Sequence, residues 1–140
     1  MMTSDRPHRR LRVLVIEDNR ATADSLRLLL DLGGHDVRVA YDGPAGVRAA
    51  REWQPDAVLC DIGLPGLDGY GVAAALRAHP GTARARLIAI TAYGSDEARR
   101  RSREVGFERH FVKPVDPEVL LGALANSRQS SDGSSGPGPA

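Results

Sequence analysis

The chain has 140 residues, with 19 basic side chains against 18 acidic ones and a formal net charge of +1. That is enough length for one buried core and carries no single-sign field of the kind nucleic acid selects. Cys60 is the sole cysteine, so no internal disulfide is expected and a cytoplasmic setting is.

Residues 1–10 are polar and basic and are expected to form a flexible N-terminal segment; Leu11–Ile16 is the first apolar run and contains an arginine. It is too short and too interrupted for a signal h-region or a membrane span. Further short apolar runs follow at Val37–Ala40, Ala57–Cys60, Leu87–Ile90 and His110–Val112. Each is bounded by polar residues, Gly or Pro, which predicts strands of a buried sheet.

Helical periods alternate with these runs. The first sets Ala23, Leu26, Leu29 and Leu30 on one stripe and stops at Gly33-Gly34. "GPAGVRAAREW" and "GYGVAAALRAH" follow the second and third runs. The fourth helix has Ser95 as N-cap and Gly106 as stop; the fifth has Asp116 as N-cap and Pro117 at its first position. Residues 11–126 thus form one folded domain, and the Ser/Gly/Pro-rich stretch 127–140 is expected to be a disordered tail.

Five βα units without hairpin signals predict an α/β fold with a parallel sheet and helices on both faces. In such sheets the ligand site lies at the carboxyl ends of the strands. Those ends carry Glu17-Asp18, Asp61, Thr91 and Lys113, whereas the second strand ends in Ala40-Tyr41. Placing the second strand at an edge gives the order 2-1-3-4-5 and brings the other residues to one rim.

Lys113 is the one lysine in a chain with 18 arginines, so a compact ammonium is wanted there. Carboxylates ~4 Å apart repel by roughly 1–4 kcal/mol per pair. A hard divalent cation removes that penalty, and an all-oxygen site beside a phosphate suits Mg²⁺, or Mn²⁺. A carboxylate there can act as a nucleophile toward phosphorus.

"VLVIEDN", "LCDIGLPGLDGYG", "AITAYG" and "HFVKPVD" occur in that order, with Asp18, Asp61, Thr91 and Lys113 at successive spacings of 43, 30 and 22. Together they resemble the receiver domain of bacterial response regulators over about residues 11–126. The resemblance implies a flavodoxin-like (βα)5 fold and Mg²⁺-dependent phosphoryl transfer to Asp61 from a sensor histidine kinase or histidine phosphotransfer protein. It implies that Glu17, Asp18, Asp61 and the Gly63 backbone carbonyl hold the metal, that Thr91 and Lys113 bind the phosphoryl group, and that Lys113–Pro114 is cis. No direct nucleic-acid or membrane partner is expected, and the downstream protein is unnamed.

One position departs from the family. Three residues before the lysine the family usually carries an aromatic switch residue, and here it is His110, as in many receivers attached to hybrid sensor kinases. The expectation is that output relies on Thr91 and the loop 91–96 more than on ring burial. Gly63 and Tyr93 are expected to tune the lifetime of the phosphorylated state, Tyr93 by shielding it from water.

Other readings compete. With no output domain expected after residue 126, the chain signals by docking or by relay, or it is a phosphorylation-independent interaction module. A metal-dependent phosphatase acting on other molecules lacks a general base on this rim. Cys60 reads as core filler, and the arginines at 99, 100, 101 and 103 as a solvated face. The histidines lack metal-ligand spacing and no nucleotide-binding pattern occurs.

Overall fold

The computed structural model describes residues 10–126; the expected flexible residues 1–9 and the tail 127–140 lie outside the described residues. Five strands and five helices alternate: β1 (Arg12–Ile16), α1 (Arg20–Leu32), β2 (Asp36–Ala40), α2 (Gly43–Trp53), β3 (Ala57–Cys60), α3 (Gly69–Ala78), β4 (Arg86–Thr91), α4 (Asp96–Glu104), β5 (Phe107–Val112) and α5 (Pro117–Ala125). All strand pairs are parallel and the sheet order is β2-β1-β3-β4-β5, as the strand-end residues predicted. Arg10, assigned from sequence to the flexible segment, pairs with Asp36 on β2.

Strand alternation sends apolar side chains to two cores. Leu14, Ile16, Val58, Leu87 and Ala89 pack with Val47 of α2 and Val72 and Leu76 of α3. Val13, Val15, Leu59, Ile88 and Ile90 pack with Leu26 and Leu30 of α1 and Leu120 and Leu124 of α5. The central strands are therefore apolar on both faces, as a covered parallel sheet requires. All five helices have a side-chain N-cap: Asn19, Asp42, Asp68, Ser95 and Asp116. Gly106 follows α4 at φ +107°, a left-handed geometry only glycine adopts without strain.

β5 begins three residues before the apolar run that announced it. Its pairing with β4 slips between Leu87↔Phe107 and Ile88↔Arg109, leaving Glu108 as the extra residue of a bulge. The alternation that marks a strand is broken there.

Helix α3 starts against the loop that carries the rim residues. A Cβ on Gly69 would meet Ile62 Cα at 2.5 Å and the Asp61 carbonyl oxygen at 2.7 Å. Both are backbone atoms that cannot rotate away. We therefore expect Gly69→Ala to cost about 1–3 kcal/mol, measured by urea unfolding. Gly122→Ala, in α5 with nothing within 4 Å of the added methyl, should instead gain roughly 0.5–1 kcal/mol.

Candidate functional site

The rim residues are held by the ends of the sheet ladder. Glu17 N–H donates to the Ala40 carbonyl at 3.0 Å and Asp61 N–H to the Ile16 carbonyl at 3.0 Å, so each extends its strand by one residue. Lys113 N–H donates to the Thr91 carbonyl at 2.8 Å, and the Lys113–Pro114 peptide is cis. The four backbones thus sit on rigid elements around the point where the β1–β2 and β1–β3 connections diverge.

Side chains from three strand ends meet there. Lys113 Nζ donates to Glu17 Oε1 at 2.6 Å and to Asp61 Oδ2 at 3.1 Å. The other oxygens are held too: Asn19 N–H donates to Glu17 Oε2 at 3.0 Å, and Gly63 N–H to Asp61 Oδ1 at 2.9 Å. Asp18 is exposed, yet one of its oxygens lies with one from Glu17 and one from Asp61 in a set mutually within 4.8 Å.

Three carboxylates face one ammonium, so the rim stays negative. Burial pushes the Glu17 carboxyl up, with the Asp61 charge adding to it, against the hydrogen bonds from Lys113 and Asn19. For Lys113, burial works against the ammonium and is outweighed by hydrogen bonding to Glu17 and Asp61, so its pKa is raised. The two shifts weigh oppositely, since pairing favours the lysine while burial penalises the glutamate. Glu17, 2% exposed, sits deeper than the Lys113 side chain at 27%, so incomplete neutralisation of the carboxylate is the stronger effect. A second cation would relieve it, and the all-oxygen donors suit a hard divalent ion.

Thr91 is fully buried, and its hydroxyl oxygen accepts from Tyr93 N–H at 3.2 Å. The Tyr93 ring lies over Gly63: a Cβ there would stand 3.2 Å from Tyr93 Oη. His110 is not brought to the carboxylates. Its Nδ1 is 2.7 Å from Ser102 Oγ on α4, and its Nε2 is 2.7 Å from the Tyr93 carbonyl. Burial pushes the Cys60 thiol up, with Asp61, Glu17 and Asp68 adding to it, so it stays protonated core filler.

Sequence reasoning missed Asn19 and Ser102. Ser102 is the buried residue of α4, and Ala98, Ser102 and Val105 form a small-residue stripe at helical spacing among charges. That stripe was the available signal. The arginines of α4 are also not a simple solvated face. Arg99 reaches the carbonyls of Gly94 and His110 at 3.4 and 3.3 Å, and Arg101 stacks on the Tyr70 ring at 4.2 Å.

Residues 13–125 match the family described as response regulator receiver domain. Protein PilH of Pseudomonas aeruginosa is 33% identical over 110 residues, 79% of this chain and 91% of PilH. RpaA of Synechocystis, a DNA-binding dual master transcriptional regulator, is 34% identical over 79% of this chain but 46% of its own length. The chain likewise spans 54% of the DNA-binding response regulator MtrA of Mycobacterium leprae. Among solved structures, the receiver domain of the Pseudomonas aeruginosa sensor histidine kinase PA1611, with a magnesium ion coordinated in its active site cleft, is 30% identical. It superposes with a TM-score of 0.79 over 87% of this chain and 100% of that one. Order, spacing, fold and these likenesses agree: the chain belongs to the receiver domains of two-component response regulators.

Proposed function

We propose that the domain is a phosphoacceptor switch in which Asp61 takes a phosphoryl group from the phosphohistidine of a sensor histidine kinase or histidine phosphotransfer protein. The observation that carries this reading is the set of Glu17, Asp18 and Asp61 oxygens within 4.8 Å of one another, with Lys113 bridging Glu17 and Asp61. In the transfer an Asp61 oxygen bonds to phosphorus while the phosphorus–nitrogen bond to the donor imidazole breaks, and the ring nitrogen keeps the electron pair.

Lys113, a compact charge on a flexible stem, moves from the carboxylates to a phosphoryl oxygen. The Thr91 oxygen accepts from Tyr93 N–H, which leaves the hydroxyl proton to donate to another phosphoryl oxygen. Mg²⁺, or Mn²⁺, would be held by Glu17, Asp18, Asp61 and the Gly63 backbone carbonyl, and would neutralise the rim and polarise a phosphoryl oxygen.

The added dianion then shifts a docking surface for a downstream protein. A swing from 1:99 to 99:1 needs about 5.5 kcal/mol, a sum that several charge-assisted hydrogen bonds to the phosphoryl group supply. The near-neutral charge favours a protein partner over nucleic acid. Among the described residues no helix is long and apolar enough to cross a membrane, and the single, buried thiol fits the cytoplasm.

Incubation with acetyl phosphate should add one phosphoryl group to the intact mass in the presence of Mg²⁺ and none after chelation. No gain in either condition would identify the alternative, a phosphorylation-independent interaction module.

A further inference from the structure

His110 lies away from the carboxylates, yet both of its ring nitrogens are engaged. A carbonyl oxygen accepts only, so His110 Nε2 carries a proton and donates to the Tyr93 carbonyl at 2.7 Å. Nδ1 lies 2.7 Å from Ser102 Oγ, and whenever it carries no proton it accepts from that hydroxyl. Ser102 is fully buried in a helix without a large apolar side chain. Helix α4 is therefore held by polar contacts, among them Tyr70 Oη donating to the Ala98 carbonyl at 3.4 Å and the Arg99 bonds to Gly94 and His110. Such an element lies at the low-stability end of a fold.

The Tyr93 backbone is pinned at both ends, its N–H by Thr91 Oγ1 and its carbonyl by His110. Its ring is thereby held over Gly63, two residues from Asp61, in a residue 54% exposed overall.

We propose that His110 and Ser102 are positioning residues for the Asp61 site: through the Tyr93 carbonyl they keep the phenol ring where it limits water's approach to a phosphoryl group. This rests on the phosphoacceptor reading above. In the hydrolysis they restrain, a water oxygen bonds to phosphorus as the bond from phosphorus to the Asp61 oxygen breaks. The carboxylate keeps the electron pair, inorganic phosphate leaves with the water's oxygen, and one proton passes to solvent. The same pair ties the lifetime of the signal to the seating of α4, so a partner that displaces α4 also releases the ring.

The test compares the loss of phosphoryl mass after donor removal in the full chain and its variants. His110→Ala and Ser102→Ala should each shorten the lifetime about threefold to tenfold, the population change that loss of one hydrogen bond allows. His110→Gln, whose amide nitrogen reaches the Nε2 position, should stay within about twofold of wild type if the Tyr93 bond is the one that counts. Tyr93→Ala should match His110→Ala, and the double variant should be no faster than Tyr93→Ala alone. A loss of general structure would instead add to the Tyr93 effect. In the unphosphorylated protein, nitrogen–proton NMR correlations of the imidazole should show the Nε2-protonated tautomer.

An unchanged lifetime in His110→Ala, additive effects in the double variant, or an Nδ1-protonated neutral ring would overturn this proposal and leave the phosphoacceptor reading standing. Failure of the wild type to take up any phosphoryl group would overturn both.

Discussion

Asp61→Asn is expected to reduce phosphoryl uptake to background while leaving the fold intact. The amide oxygen still accepts the Gly63 N–H that Asp61 Oδ1 accepts at 2.9 Å, so the loop keeps its shape. The amide is no nucleophile toward phosphorus, and no other carboxylate takes over. Glu17 is 2% exposed and bound by Lys113 and Asn19, and Asp18 stands exposed at the rim, outside the bonds that Lys113 makes. Removing one of three clustered carboxylates also relieves repulsion. Urea unfolding should therefore show a stability within about 1 kcal/mol of wild type, the range of a partly screened pair at ~4 Å. Intact mass after donor treatment checks the chemistry, and the melt checks the fold.

Arg86→Ala should cost about 3–5 kcal/mol of stability, as much as a large core truncation, which is the cost of breaking a buried ion pair from one side. Arg86 meets both Glu108 oxygens, with Nη2 at 2.7 Å from Oε2 and Nε at 3.2 Å from Oε1. It also donates to the carbonyls of Leu124 at 3.0 Å and Ala123 at 2.8 Å. The two side chains are 11% and 12% exposed. One guanidinium therefore joins the start of β4, the bulge of β5 and the last carbonyls of α5, which a helix leaves without intrahelical partners.

Lysine at that position offers a point charge in place of a planar fork and should recover less than half of the loss. Replacing both partners by apolar residues, Arg86→Met with Glu108→Leu, should recover more than Arg86→Lys, because no charge is then left buried. Guanidinium-chloride unfolding of the three variants ranks them, and a loss below about 1 kcal/mol for Arg86→Ala would mean the fork is solvated as an ordinary surface pair is.

The same arginine shows where sequence reading stopped. The strand order was legible because the rim residues follow directly on uninterrupted apolar runs: Asp61 after Ala57–Cys60, and Glu17 after Val13–Ile16. A charge abutting a buried strand marks the end that faces solvent or a ligand. The start of β5 was illegible because Glu108 and Arg109 interrupt the run, and Glu108 is tolerated there only through Arg86, 22 residues earlier.

The site divides in the same way. Glu17, Asp18, Asp61, Thr91 and Lys113 sit where topology alone collects them, at the ends of adjacent parallel strands. The partners of His110 did not follow from topology, since one is a small polar residue on a charge-rich helix and the other is a backbone carbonyl. Nor did the seat of the Tyr93 ring, which depends on Gly63 having no side chain to displace it.

On the proposed function, Asp61 and no other residue carries the phosphoryl group. Treating the phosphorylated protein with borohydride and sequencing its peptides by mass spectrometry tests this most directly, because reduction of an aspartyl phosphate leaves homoserine at the modified position. Homoserine is expected at position 61 in the wild type. Homoserine elsewhere, or a phosphoryl group retained on Ser102, His110 or another side chain with Asp61 unchanged, would contradict it.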